Sequence, residues 1–223
     1  MPRAGLTTAA VVAAGAALAD EVGFANVTMG LLAERLGVRT PSLYKHVGSL
    51  ADLQHRVAVL AMSELGDAVG SAVQGLAGRD ALAAFAGATR EYVLAHPGRY
   101  TATVGAEVSG DEDPLEAAGG RPIATLAAVL RGYGIADDDL DHAMRAVRSM
   151  LHGFAVLQAG NGFQWTADPD VSFRWMVEFV DRGLRVSVPV AQGRTSSQGR
   201  TSSRGRTATQ GRTATQGRTR PVS

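Results

Sequence analysis

The apolar residues of this chain recur three or four positions apart over most of its length, and this spacing constrains the fold more than any other feature. The chain shows no sustained alternation of apolar and polar residues, and no hairpin turn joins two β-branched runs. Short breaks rich in glycine, proline and aspartate separate the apolar stretches. The pattern therefore predicts an all-α protein.

The expected helices begin and end at these breaks. Their spans are Thr8 to Val22, Met29 to Leu36, Pro41 to Val47, Leu50 to Leu76, Asp80 to Ala95, Pro97 to Val104, Pro114 to Tyr133, Asp137 to Ala159 and Asp170 to Val186. Asp80 and Asp137 are candidates to cap the helices that they open. The acids at 111–113 lie in an expected loop and are therefore interpreted as solvated. They lack the spacing of a calcium loop, so a metal site is not expected there.

Composition narrows the class of protein. With 45% hydrophobic and 19% charged residues, the chain is typical of a folded protein. It has no apolar run of about 20 residues, so no membrane span is expected. The alanine-rich run before Asp20 is interpreted as a helix rather than a signal peptide. The chain has no cysteine, which excludes disulfides and thiolate metal sites. We expect a cytoplasmic protein without metal or cofactor.

The last part of the chain, residues 191–223, repeats a six-residue unit of the type QGRTSS. It carries seven arginines and no acid, whereas 15 of the 22 basic and all 21 acidic residues precede it, which leaves the preceding part a formal charge of −6. We predict a disordered tail. It is either a solvated low-complexity extension or an arm that binds DNA without sequence preference.

The stretch from Thr28 to Val47 predicts two short helices joined by a tight turn. Thr28 can cap the first helix, Leu32 and Leu36 share one face, and Gly37 can end the helix in a left-handed conformation.

The second helix of this stretch has an apolar back and a polar front. Thr40 can cap it, with Pro41 at its first position, and Leu43 and Val47 point inward. The outer face is left with Thr40, Ser42, Tyr44, Lys45 and His46. A helix with such side chains fits a DNA major groove, although short helix pairs of this kind also occur in proteins that do not bind DNA.

The residues around this helix pair resemble the N-terminal domain of tetracycline-repressor (TetR) family regulators. The resemblance covers Thr8 to about Val59 and rests on five features: Gly23-Phe24, Thr28-Met29, Ala33-Glu34-Arg35-Leu36-Gly37-Val38, Ser42-Leu43-Tyr44-Lys45-His46-Val47 and the helix opening at Leu50 to Leu53. It implies a three-helix head with a helix-turn-helix (HTH), the helix from Pro41 to Val47 as the recognition helix, and a long fourth helix that links head and body.

The resemblance and the polar front together give the candidate DNA-binding residues. They are Thr28, Arg39, Thr40, Pro41, Ser42, Tyr44, Lys45, His46 and Ser49. The chain departs from the family pattern at Leu31, which replaces the acid of a capping box, at Gly30 inside the first helix, and at Arg39, where the family often has serine. Arg39 is therefore a candidate for an additional phosphate or base contact.

The body is expected to dimerise, because an HTH reader usually needs two copies on a twofold site. Two apolar stripes on the last two long helices are the candidates for the interface, or alternatively belong to the core. They are Ala143, Val147, Leu151 and Ala155, and Phe173, Val177, Val180 and Leu184. The segment around Leu151-His152-Gly153 resembles the C-terminal domain of a TetR subgroup with a Trp-His-Gly signature, with leucine here in place of tryptophan.

A ligand pocket among the body helices is implied by the resemblance. Its candidate lining residues, each of which could instead be ordinary core, are Tyr92, Tyr100, Met144, Met150, His152 and Trp165. The expected organisation is a head at 1–50, a ligand-binding and dimerisation body at 51–190 and the tail at 191–223.

The expected function is that of a homodimeric regulator of transcription. It would bind a near-palindromic operator in double-stranded DNA, repress transcription, and be released when an unknown small molecule tilts the fourth helix. The chain has none of the common nucleotide-binding, hydrolase or metalloprotease motifs, so it is not expected to be an enzyme. The alternatives are a helical interaction protein and a DNA-binding regulator without ligand control.

Overall fold

The computed structural model describes residues 6–110, 112–164 and 166–186, and every regular element in these ranges is a helix. The helices are α1 (Thr8–Val22), α2 (Met29–Leu36), α3 (Thr40–Leu43), α4 (Leu50–Ala72), α5 (Gly78–Ala95), α6 (Pro97–Thr103), α7 (Pro114–Arg131), α8 (Asp137–Ala159) and α9 (Pro169–Val186), with a 3-10 turn at Phe24–Asn26. The all-α prediction is confirmed. No helix of the described part has the length and apolar character needed to cross a membrane.

Local signals set the ends of the first helices. The hydroxyl of Thr28 accepts a hydrogen bond from the Leu31 amide and so caps α2. At the other end Gly37 has φ +64°, its amide donates to Glu34 O, and the amide of Val38 donates to Ala33 O. This is a Schellman motif, which turns the chain sharply toward α3.

The head, here helices α1 to α3 with the turns between them, closes over a small hydrophobic core. Its largest fully buried side chains are Leu32, Leu43, Val11 and Val47, and Leu53 of α4 completes the cluster. Ala102 of α6 and Leu115 of α7 belong to the same cluster, so the head core continues into the body.

The body core lies between α4 and the later helices. It includes Leu65, Leu82, Val93, Leu130 and Leu151. The two stripes considered for the dimer interface lie in this core, because all of their residues except half-buried Ala143 are buried within the protomer. A different set of apolar side chains on α8 and α9 is exposed.

Two predicted caps are wrong, and so is the predicted solvation of Asp113, although residues 112 and 113 do lie outside the helices. α5 begins at Gly78 and α8 at Asp137, with Ala77 and Ala136 at the cap positions, so neither Asp80 nor Asp137 caps a helix. Asp113 is not a solvated loop acid: its side chain is 5% exposed and accepts a hydrogen bond from the Leu115 amide, which caps α7.

The recognition helix is shorter than predicted. α3 ends at Leu43, and Thr40 is its first residue rather than its cap; Arg39 holds the cap position without a side-chain hydrogen bond. The chain continues as a turn in which the Val47 amide donates to Leu43 O at 3.1 Å. Val47 therefore still points inward.

The short helix α6 joins the body to the head. A Cβ atom on Gly98 would lie 1.9 Å from Ala19 O and 2.6 Å from the Asp20 amide nitrogen, so the backbones of α6 and α1 are in direct contact. The neighbouring Arg99 amide donates to Asp20 Oδ1 at 2.8 Å, and the Arg99 guanidinium lies 3.2 Å from a Glu64 carboxylate oxygen of α4. α6 therefore links α1 and α4.

Candidate DNA-binding surface and ligand cavity

The outer surface of α3 and the following turn is polar over an apolar back. Leu43 and Val47 are 0% and 1% exposed, whereas Tyr44 is 53% exposed. The predicted DNA-binding residues fall into two groups. Thr28, Arg39, Pro41, Tyr44, Lys45 and Ser49 are exposed, and Thr40, Ser42 and His46 are half-buried. None of them is buried, and they lie in α3, next to it, or at the starts of α2 and α4.

Two of the predicted DNA-binding residues are cations without an ion pair in the described part of the chain. Arg35 is bound to Glu21 by two hydrogen bonds of 2.6 and 2.8 Å, which lower the pKa of Glu21, and Arg56 is bound to Asp52 at 2.8 Å. Arg39, in extended backbone before α3, and Lys45, after it, have no such partner there, so their charges are available to an anion such as a phosphate.

Hydroxyl groups at two helix starts serve as caps and keep a hydrogen to donate. Thr28 Oγ1 accepts from the Leu31 amide, and Ser49 Oγ accepts from the Asp52 amide at 3.0 Å. A hydroxyl that accepts one bond can still donate its own hydrogen to a phosphate oxygen. The Gly48 amide, in contrast, already donates to Asp52 Oδ2 at 2.8 Å.

A cavity of about 640 Å³, its open mouth included, lies among helices α4 to α8 of the body. Most of its lining is apolar and comes from Met62, Leu65, Phe85, Pro122, Ile123, Leu126 and Leu151. A concave, mostly apolar site with a few polar groups is of the kind that binds small organic molecules.

Few polar groups reach the cavity. Thr89 and Thr103 donate their hydroxyl hydrogens to backbone carbonyls of their own helices, at 2.8 and 2.7 Å. Tyr100 Oη lies 3.0 Å from His152 Nδ1, and Arg148 of α8 lines the same wall. Burial raises the pKa of Tyr100, partly offset by the charge of Arg148, so its phenol stays protonated at neutral pH.

Two of the predicted ligand contacts, Tyr100 and His152, line this cavity. Tyr92 does not; its hydroxyl donates to Glu64 Oε2 at 2.9 Å, and both burial and Glu64 raise its pKa. Tyr92 belongs to the network of polar side chains around Arg99.

The other predicted ligand contacts lie elsewhere. Met144 packs against the body core, Met150 lines a surface groove between α8 and α9, and Trp165 is outside the described residues. The sequence reasoning missed Arg148, although its position four residues before His152 places both on one face of a helix. In the described ranges no group of three or more histidine, aspartate or glutamate side chains is arranged to hold a metal.

The cavity wall is attached to α4, the helix that leaves the head. Asp113, the cap of α7, lies 2.8 Å from His55 Nε2 of α4. Farther along, a Cβ atom on Gly66 would lie 3.1 Å from Arg121 Cβ, and Arg121 forms an ion pair with Asp67. A displacement of α7 by a ligand would therefore act directly on α4.

The three-helix head with an HTH and the helical body with its cavity define a DNA-binding regulator of transcription. Comparison with family models gives the particular family. The model of bacterial regulatory proteins of the tetR family matches residues 11–57, and a tetracyclin repressor-like C-terminal domain model matches residues 82–180. The chain belongs to the TetR family. Members are regulators rather than enzymes, as predicted.

Curated relatives support the assignment. The chain is 35% identical over 158 residues to the uncharacterized HTH-type transcriptional regulator Rv0681 of Mycobacterium tuberculosis, covering 71% of this chain and 72% of that protein. It is 29% identical over 187 residues to the uncharacterized HTH-type transcriptional regulator YobS of Bacillus subtilis, covering 83% and 96%.

Solved structures share the fold. BioQ of Mycobacterium smegmatis superposes with a TM-score of 0.61 at 26% identity, covering 81% of this chain and 99% of that one. BioQ bound to its double-stranded DNA operator gives 0.60 at 25% identity, with the same coverage. A TetR variant of Acinetobacter baumannii in complex with minocycline gives 0.63 at 24% identity, covering 82% and 98%, and shows the fold alone.

Proposed function

We propose that the protein is a homodimeric repressor that binds a near-palindromic operator in the cytoplasm and releases it when a small molecule enters the body cavity. The observation that carries the DNA-binding part is the polar outer side of α3 over buried Leu43 and Val47. Beside it lie the cations Arg39 and Lys45, which have no ion pair in the described ranges. The operator-bound relative BioQ, of similar fold, supports the same assignment.

The dimer part rests on exposed apolar side chains of the last two helices. Trp175 and Phe179 of α9 are 60% and 52% exposed and stack with ring centroids 5.5 Å apart, and Leu157 of α8 is 51% exposed. An adjoining groove between α8 and α9 has a largely apolar lining. Exposed aromatic clusters of this kind mark interaction surfaces, and a twofold operator calls for a second copy of the chain.

The release part rests on the attachment of the cavity wall to the head. α7 contacts α4 at Asp113 and Arg121, and α6, which contributes Tyr100 to the cavity, contacts α1 through Gly98. A ligand that favours one arrangement of these helices changes the separation of the two heads, and operator affinity falls if that arrangement does not match the site.

Selection of binding sites from random duplex DNA tests the function. The full chain should yield a twofold-symmetric motif that survives truncation after Ala191. Tyr44→Ala should weaken binding to this motif, whereas Val104→Ala, at a body residue that is similarly exposed at 52%, should not. Only sequence-independent binding that disappears with the tail would contradict the regulator assignment.

Ligand control has its own test. The operator complex is titrated with apolar compounds that fit the cavity, and operator affinity is measured by fluorescence anisotropy. At least one compound that binds the body should lower the affinity. If operator affinity is the same with and without every compound that binds, the protein is a regulator without ligand control.

A further inference from the structure

One wall of the cavity carries a positive charge that has no acidic partner among the residues that the structure describes. Arg148 and His152 lie one helical turn apart on α8, and both line the cavity. Arg148 has no ion pair within the described ranges, unlike Arg99 and Arg121 of neighbouring helices, which are paired with acids. No aspartate or glutamate is found among the lining residues that the structure describes.

The Tyr100–His152 pair adds one hydrogen-bond donor to this wall. A neutral pair has two polar hydrogens, and the 3.0 Å contact between Tyr100 Oη and His152 Nδ1 uses one of them. If the phenol donates to Nδ1, the remaining hydrogen is on His152 Nε2; if Nδ1–H donates, it is on the phenol. In either tautomer the pair retains one donor.

We propose that the effector is an apolar small molecule with one carboxylate group, which binds Arg148 and the remaining donor of the Tyr100–His152 pair. This inference rests on the proposed ligand-controlled regulator and specifies the chemical class of its ligand. The hydrocarbon part lies against Phe85 and Leu126, on the apolar side of the cavity.

The charge distribution favours an acid over other head groups. A carboxylate accepts a charge-assisted bond from a guanidinium and a second bond from a neutral donor, whereas an ammonium group would meet Arg148 with like charge. A hydroxyl head could use the Tyr100–His152 donor but would leave the guanidinium charge without a counter-charge. The apolar lining explains why a purely polar anion such as phosphate would be a poor ligand.

Three ligands with the same chain and different heads test the proposal: decanoate, 1-decanol and decylamine. Binding to the full-length protein is measured calorimetrically at about pH 8 and low salt, where the acid and the amine are both charged. Decanoate should bind about tenfold more tightly than 1-decanol, and decylamine should bind weakest.

The variant Arg148→Gln should remove most of the preference for decanoate over 1-decanol. The matched control is Arg145→Gln, because Arg145 is also exposed and without an ion pair in the described part, lies on the same helix, and does not line the cavity. The control should retain the tenfold preference. Thermal unfolding of both variants should match that of the unsubstituted protein.

Three results would overturn the proposal: equal binding of decanoate and 1-decanol, a preference for decanoate that survives Arg148→Gln, or no binding of any probe. These results are separate from the fate of the proposed function. If decanoate binds through Arg148 but site selection yields no operator, the regulator assignment fails and the acid site stands. If an operator emerges but the head group makes no difference, only the ligand class is wrong.

Discussion

His55 Nε2 lies 2.8 Å from Asp113 Oδ1, and this pair joins the helix that leaves the head to the cap of the helix that lines the cavity. Asp113 also accepts hydrogen bonds from the amides of Leu115 and Ser109, at 2.9 and 2.8 Å. One carboxylate thus holds the start of α7, the loop before it and α4 together.

The capping role of Asp113 predicts a loss of stability in acid. The hydrogen bonds from Leu115 and Ser109, with a further contribution from His55, lower the pKa of Asp113 in the folded protein. The stabilisation is complete above the unfolded aspartate pKa of about 3.9 and is lost as the pH falls below it, through the folded pKa. In Asp113→Asn the fall in melting temperature between about pH 5 and pH 3 should be shallower than in the unsubstituted protein.

The control for this prediction is Glu116→Gln. Glu116 lies in the first turn of the same helix, is exposed, and its side chain has no hydrogen bond in the described part of the chain. Its substitution should leave the acid dependence unchanged. A slope that is equally steep in Asp113→Asn would show that Asp113 does not contribute to it.

Two glycines on successive helices predict opposite effects of the same substitution. Gly98→Ala places a methyl group against the backbone of Ala19, which cannot move aside, and should lower the free energy of unfolding by about 1–3 kcal/mol or more. Gly87→Ala, inside α5 and facing open space, should raise it by up to about 1 kcal/mol. Urea denaturation of both variants measures the difference; a neutral Gly98→Ala would contradict the close contact of α6 and α1.

Lys45, which has no ion pair with any residue that the structure describes, predicts a change in the salt dependence of operator binding. Lys45→Gln should weaken binding to all sequences alike and reduce the slope of log K against log salt by about 1 for each subunit. Arg131→Gln, at an exposed body residue, should leave the slope unchanged. An unaltered slope in Lys45→Gln would mean that Lys45 does not neutralise a phosphate.

The exposed stack on α9 predicts the state of assembly. Phe179→Asp should raise the dissociation constant of the dimer by about 100-fold, because a carboxylate would be desolvated in the interface. Light scattering coupled to size-exclusion chromatography, at several concentrations, measures this shift. Leu76→Asp, which also replaces an exposed apolar residue but lies outside α8 and α9, should remain dimeric; dimers of both variants would place the interface elsewhere.

The bounds of α1 and α2 could be predicted from the sequence to the residue, because both helices have a threonine cap and end at a glycine with positive φ. α8 also has the expected bounds, although Asp137 is not its cap. The i, i+4 spacing of Leu43 and Val47 predicts a helix to Val47, but α3 ends at Leu43 and the chain continues as a turn. Val47 still lies in the same buried cluster as Leu53 of α4. The stripes on α8 and α9 were visible, but which face meets the core depends on the position of α5.

Those parts of the candidate site that depend on a single helix could be predicted from the sequence, and those that depend on several helices could not. The polar front of α3 follows from spacing within one helix and from the family resemblance, and Tyr100 and His152 do line the cavity. Arg148 could not be recognised as a ligand contact from the sequence, because its place in the cavity and its lack of an acidic partner in the described ranges depend on the positions of the five helices α4 to α8. Gly98 resembles any glycine after a proline until α1 is seen to cross it.

The contact of α6 with α1 limits how the two parts of this protein can be recombined. A chimera that joins residues 1–50 to another helical body would leave α1 without the glycine that lets a backbone approach it and without the arginine that binds Asp20. The DNA-binding head therefore cannot be transferred alone to another body without losing these contacts. A biosensor built from this chain would have to include α6 together with the head. Alternatively, the new body would need a glycine and an arginine where its own helix contacts α1.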